Sequence, residues 1–414
     1  MASWPAGRTP RRPWGSRTVA AAAPRWLGLG LAFLPALAQA LPYRPVDDAL
    51  ILETLPIRYD PALAVLGPLR QQLQRQPQDL PASLLLARSY IEAARRDADP
   101  RFLGIAQATL APWPEGPHTP IEVRVLRATI LQSLHQFDAA LRELDVVLAQ
   151  RPGDAQALLT RATVLQLRGR FPEAQRDCAA LLATAGDVTA GLCLGSLASA
   201  TGRLELASSL AARALASMPA GDLAQRAWAH ALQAEIATHR GQLPEAVRVL
   251  QSGLALDGND RYARAALCDA LLDLGRPDEV LDWTSGQERD DNLLLRRALA
   301  LQALARRSPE GARWQAALAA ATAQLDERHQ AARQRGDRTH LREAARMQLQ
   351  LMQDPQGSLR LARENWSMQR EPADVRILLE AARAARDATV VGEVSAWVHA
   401  SGLVDARIAD LLKG

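Results

Sequence analysis

The sequence repeats itself with a period of 34 residues, and no other feature limits the fold so sharply. Ile121 to Asp154 carries QFDAALRELDVVLAQRPGD, and Ala155 to Val188 carries GRFPEAQRDCAALL in the same frame. The pattern returns from Val188 (GRLELASSLAARALASMP), from Ala227 (GQLPEAVRVLQSGLALDGND) and from Arg261 (GRPDEVLDW), with one slip of five residues between the third and fourth units. A fixed period of this length means stacked copies of one small unit, each burying its apolar face on its neighbours.

The phased residues say what the unit is. Its eighth position holds Ala128, Ala162, Gly195, Ala234 and Cys268, and its twentieth Ala140, Ala174, Ala207, Ala246 and Val280. Small side chains at both places let two helices cross closely. Gly169, Gly202, Gly241 and Gly275 fall between the helices, where a chain reversal calls for positive φ. Pro172 and Pro244 fall in the first turn of the second helix, the one part of a helix that tolerates a missing N–H. This pattern resembles the tetratricopeptide-repeat (TPR) family. The resemblance implies an all-α solenoid of antiparallel helix pairs, a TPR superhelix, whose first helices line a concave partner-binding groove.

The five units occupy residues 119–290. Residues 80–118 read as a diverged helical hairpin, and residues 291–414 as further diverged pairs and a C-terminal cap, because the end units of a solenoid meet water on one face. Residues 41–79, with four early prolines, read as an N-terminal cap or arm. In residues 1–40, five arginines without an acid precede the run Trp26–Leu37 and then Ala38-Gln39-Ala40. That order is a secretory signal peptide, cleaved after Ala40. The apolar run falls short of the roughly 20 residues a bilayer span needs. The expected mature chain is periplasmic or secreted, with no stable membrane insertion. The segments DPRFLGIAQATLAPWP and LRATILQSLHQFDAALRELD also resemble a subgroup of exported bacterial repeat proteins of unassigned role.

Charge excludes one partner class. Once the five N-terminal arginines are set aside, 44 basic residues stand against 45 acidic ones. A near-neutral body without a basic tract offers no footprint for phosphate backbones, so nucleic acid is not an expected partner. Chemistry finds little support either. The sequence has no P-loop, nucleophile elbow, HExxH or CxxC, and no cofactor is expected. His329 and His340 sit in a charged stretch that reads as a solvated helical face. Glu288, Asp290 and Asp291 lack the spacing of a calcium loop. The tryptophans read as packing anchors.

The leading functional expectation is a scaffold that binds another protein or peptide and performs no chemistry; the alternative is a helical-array hydrolase or transferase with an unrecognised site. In the family, inner positions of the first helix hold the partner. Here the first three units place Gln132, Gln156, Thr163, Gln166, Ser196 and Ser199 there, and the last two place Trp228, Glu235, His239, Tyr262, Asp269 and Asp273. The TPR subgroup that clamps acidic tails uses Lys and Asn at these positions. This chain's aromatic and acidic wall therefore points to an apolar or basic segment, with Trp228 and Tyr262 as anchors. Cys178 and Cys193 fall on successive helices, and an oxidising compartment would let them form a disulfide.

Overall fold

The computed structural model describes residues 61–97, 99–219, 221–307 and 311–413. The expected signal peptide and most of the expected arm lie outside them. Every regular element among the described residues is an α-helix. The five units are the pairs α5 (Ile121–Ser133) with α6 (Phe137–Gln150), α7 (Ala155–Leu167) with α8 (Phe171–Thr184), α9 (Gly186–Ala200) with α10 (Leu204–Ser217), α11 (Leu223–His239) with α12 (Leu243–Leu256), and α13 (Arg261–Asp273) with α14 (Pro277–Trp283). Short helices α1 (Pro61–Ala64) and α2 (Gly67–Arg75) precede the pair α3 (Leu80–Asp97) and α4 (Arg101–Thr109). After the fifth unit come α15 (Asp291–Arg307) with α16 (Ala312–Gln334), α17 (Leu341–Gln350) with α18 (Pro355–Met368), α19 (Pro372–Ala384) with α20 (Ala388–Ser401), and a last helix α21 (Ala406–Lys413).

Local chemistry explains the pairs. Asp154, Asp222 and Asp260 each accept the amide of the residue three places on, capping the first helix of the second, fourth and fifth units. The small positions are buried where the helices cross: Ala128, Ala162, Ala140, Ala174, Ala207, Ala246 and Cys268 lose all their surface. In the third unit the position is glycine, and a Cβ there would stand 2.9 Å from the Leu232 side chain, which would have to shift to admit it. The four turn glycines have φ near +70°, and the first unit, which has no glycine there, puts His135 at φ 55°. A disulfide joins Cys178 on α8 to Cys193 on α9, with Cα atoms 5.4 Å apart. It pins the second unit to the third.

The array returns on itself. The turns of the second, third and fourth units each touch the C-terminal helices, several pairs further along the chain. The second-unit turn meets the start of α19, where the Arg370 amide donates to the Leu167 carbonyl at 2.8 Å and Arg168 donates to the carbonyls of Ser367 and Met368. Trp397 of α20 rests over Gly169, within reach of Phe171, Trp366 and the Arg370 guanidinium. The third-unit turn meets Gly402, and the fourth-unit turn meets Ala406 at the head of α21. At the other end the Arg261 guanidinium reaches the Arg96 carbonyl of α3 at 2.9 Å. Apolar contact follows the same path, because Leu341 and Met368 complete a core with Phe137, Leu141 and Leu165.

Candidate binding groove

The first helices of the pairs face inward, and the later pairs bring arginines to meet the acids of the earlier ones. Asp269 on α13 is gripped by Arg296 of α15 and Arg346 of α17, each at 2.6 Å. Burial alone would push its carboxyl up, but the two guanidiniums hold it far below the usual carboxylate range. Asp273, one turn on, accepts from Arg376 of α19 at 2.7 and 2.9 Å and lies 3.6 Å from Arg407 of α21. Arg342 of α17 binds Glu343 and Glu371 and approaches Asp374.

His239, at the end of α11, is 2 % exposed, with its Nε2 3.8 Å from Asp405 and its Nδ1 3.2 Å from the Ser199 hydroxyl. Ser199 donates to Glu235 at 2.9 Å. Arg407 in turn holds Asp405 at 2.6 Å. Burial raises the Asp405 carboxyl, and its hydrogen bonds from Arg407 and the charges of Arg407 and His239 more than reverse that. Burial raises the Glu235 carboxyl too, and there His239 and the Ser199 hydroxyl offset only part of it.

The sequence-based groove thus needs a correction in what occupies it. His239, Asp269 and Asp273 face the array's own C-terminal helices and are satisfied in cis. The physical reason is the arginine-rich run of inward helices after residue 291, whose charges the period could not locate in space. Trp228 is half-buried and packs against both the core of the first three units and that of the third and fourth, so it serves as a spacer between units. Tyr262 is open, at 63 % exposure. His329 also departs from expectation: it is buried on α16 with its Nε2 unpartnered.

Ser199, His239 and Asp405 invite comparison with a nucleophilic trio, which sequence inspection could not assemble across 206 residues. The Ser199 hydroxyl is not committed to the imidazole: it donates to Glu235 at 2.9 Å and lies 3.2 Å from His239 Nδ1. Ser199 has no exposed surface, so no substrate carbonyl reaches it in this conformation. Asp290 and Asp291 of the small acidic cluster hold Arg261 and Arg328, and among the described residues no group of three or more His, Cys, Asp or Glu is placed to bind a metal. No helix of the described residues is long and apolar enough to cross a membrane.

No protein-family model matches the chain, and no curated protein matches it. Among solved structures it is similar to a tetratricopeptide repeat protein from Parabacteroides merdae, with 14 % identity, a TM-score of 0.37, and coverage of 72 % of this chain and 99 % of that one. The TPR domain of P58(IPK) is similar at 16 % identity, a TM-score of 0.22, and coverage of 79 % and 96 %. Likenesses this distant leave the weight on the chain's own helices, caps and crossings. Its structural neighbours are TPR proteins, and the chain is an all-α solenoid of antiparallel helix pairs.

Proposed function

We propose that the chain is an exported interaction scaffold, periplasmic or secreted, which holds a basic or apolar segment of another protein and performs no chemistry of its own. The observation that carries this reading is the interior wall of α11 and α13. Its aspartates already grip arginines presented by helices across the array, which is the recognition chemistry a basic segment would use. The signal layout of residues 1–40 and the disulfide between the second and third units support export. Tyr262 is the anchor, because a large rigid aromatic buries area at low entropic cost.

Protein recovered after export, with its N-terminus read, serves as bait against periplasmic extract beside a Tyr262→Ala variant of matched helicity. The expected outcome is a chain beginning at Leu41 and a partner retained by the wild type and lost by the variant. A variant that captures the same partner at full strength places binding on another surface.

A further inference from the structure

The array is not closed in the same way along its length. At the second unit the closure is apolar: Leu341 and Met368 complete one core with Phe137, Leu141 and Leu165, and hydrogen bonds to the Leu167 and Met368 carbonyls reinforce it. At the third, fourth and fifth units it is made by the six residues Gly402 to Arg407. The Gly402 carbonyl and Val404 lie against the third-unit turn at Gly202, and Ala406 against the fourth-unit turn at Gly241. Asp405 stands 3.8 Å from His239 at the end of α11, and Arg407 stands 3.6 Å from Asp273 at the end of α13. The large apolar residues of this stretch are committed elsewhere. Leu403 and Ile408 are buried in a core drawn wholly from Ala345 to Leu412, and α19 holds α21 through Arg383 and the Leu411 carbonyl. Val404 stays half exposed.

Parting an apolar joint exposes its surface to water, whereas polar groups that part exchange one set of hydrogen bonds for another. The closure is therefore strong at Leu341 and Met368 and weak at Asp405 and Arg407. We propose that residues 402–413 are a clasp: α19, α20 and α21, with their own core, swing away from the third to fifth units about the joint at Leu341 and Met368. The proposal rests on the scaffold reading and supplies its regulation. In the closed form Asp273 is held by Arg376 and Arg407, both on the part that swings, so opening frees this carboxylate for the basic segment of a partner. Asp269 stays paired, because Arg346 lies on α17 at the joint.

The test compares the wild type with one variant that loosens the clasp and one that locks it, all as the full chain. Asp405 accepts the Arg407 and Ile408 amides as the cap of α21, a role that asparagine fills as well, so Asp405→Asn removes the charge and keeps the helix start. For the lock, a Cβ on Gly241 would lie 3.1 Å from that of Ala406, a little inside the roughly 3.8 Å of a disulfide, so Gly241→Cys with Ala406→Cys can be bridged by oxidation. Mild reductant reopens it, while Cys178 and Cys193 are shielded by burial. The positive φ at Gly241 is common to both forms and cancels between them. The probe is a dye-labelled, blocked Leu-Arg-Leu-Arg-Leu peptide, followed by anisotropy. Asp405→Asn is expected to bind it about three- to tenfold more tightly than the wild type, because the open fraction grows. A simple charge effect on a basic peptide has the opposite sign. The oxidised lock is expected to bind at least about tenfold more weakly than its reduced form. Spin labels at Ser209→Cys on α10 and Ala400→Cys on α20 report the clasp without ligand: their separation should lengthen in Asp405→Asn and narrow to one short distance in the lock. The clasp is overturned if the locked and reduced forms take the peptide equally, or if the label distances are the same in all three proteins. If the distances move as expected and no form takes the peptide at millimolar concentration, the clasp stands and the basic-segment reading of the scaffold falls.

Discussion

Gly202 tests how the array closes. Its φ of +71° is one an L-residue adopts at a cost of about 1 kcal/mol or somewhat more, and that penalty alone would follow Gly202→Ala at any free turn. Here a Cβ would also stand 2.1 Å from the Gly402 carbonyl oxygen and 2.8 Å from Val404 Cγ2. The first neighbour is backbone, so relief requires the segment ahead of α21 to back away. Gly336 is the control: its φ is +73°, it also ends a helix, and nothing lies within 4 Å of its Cβ position. Gly336→Ala should cost about 1 kcal/mol, and Gly202→Ala about 2–4 kcal/mol once overpacking is added. Because a repeat array need not unfold in a single step, the sharper assay is hydrogen exchange by residue. Amides from Leu403 to Ile408, and those at the end of α11 beneath them, should exchange faster in Gly202→Ala and unchanged in Gly336→Ala. Equal destabilisation by the two substitutions, with residues 403–408 protected in both, would refute direct contact between the turns.

Two further outcomes follow from side chains already described. Protein denatured without reductant should show one titratable thiol, that of the buried Cys268; three would mean that the 15-residue link between Cys178 and Cys193 is open, and with it goes about 3 kcal/mol of chain-entropy stabilisation. Burial pushes the Glu343 carboxyl up, yet Arg342 and Arg296 outweigh it and hold it at about 2 against an ordinary 4.5. A depressed folded value means stability that is present above the ordinary value and lost as pH falls, so about 3 kcal/mol should drain away between roughly pH 4.5 and 2. Glu343→Gln should flatten that limb of an acid-unfolding curve, and an unchanged slope would show that the carboxylate is not the group responsible.

Much of the fold could be read from sequence because a helix pair is a local object. The small residues at two positions and the turn glycines each act within one unit, and the period repeats them. The return of the array could not be read. Asp269 meets Arg346 and Asp273 meets Arg376 over separations of 77 and 103 residues, and a period says nothing about how many units complete a circuit. The groove suffered from the same gap. Its acidic wall was visible, but the guanidiniums that fill most of it come from helices whose sequence has lost the repeat. His135 escaped notice because the glycine signal is missing from the first unit, and His329 because its charged neighbours in sequence hide a buried face.

An ordinary solenoid can gain or lose a unit by duplication or deletion at little structural expense, since each unit answers only to the ones beside it. This chain lacks that freedom. The turns of its second, third and fourth units meet partners several pairs away in fixed order, Gly169 beneath Trp397, Gly202 against Gly402 and Gly241 against Ala406. Inserting one 34-residue unit between α10 and α11 would leave Gly169 and Gly202 a full pair out of step with their partners while leaving Gly241 in place. Unit number in this lineage should therefore be inherited as a constant, and duplications should survive only when they add a whole circuit.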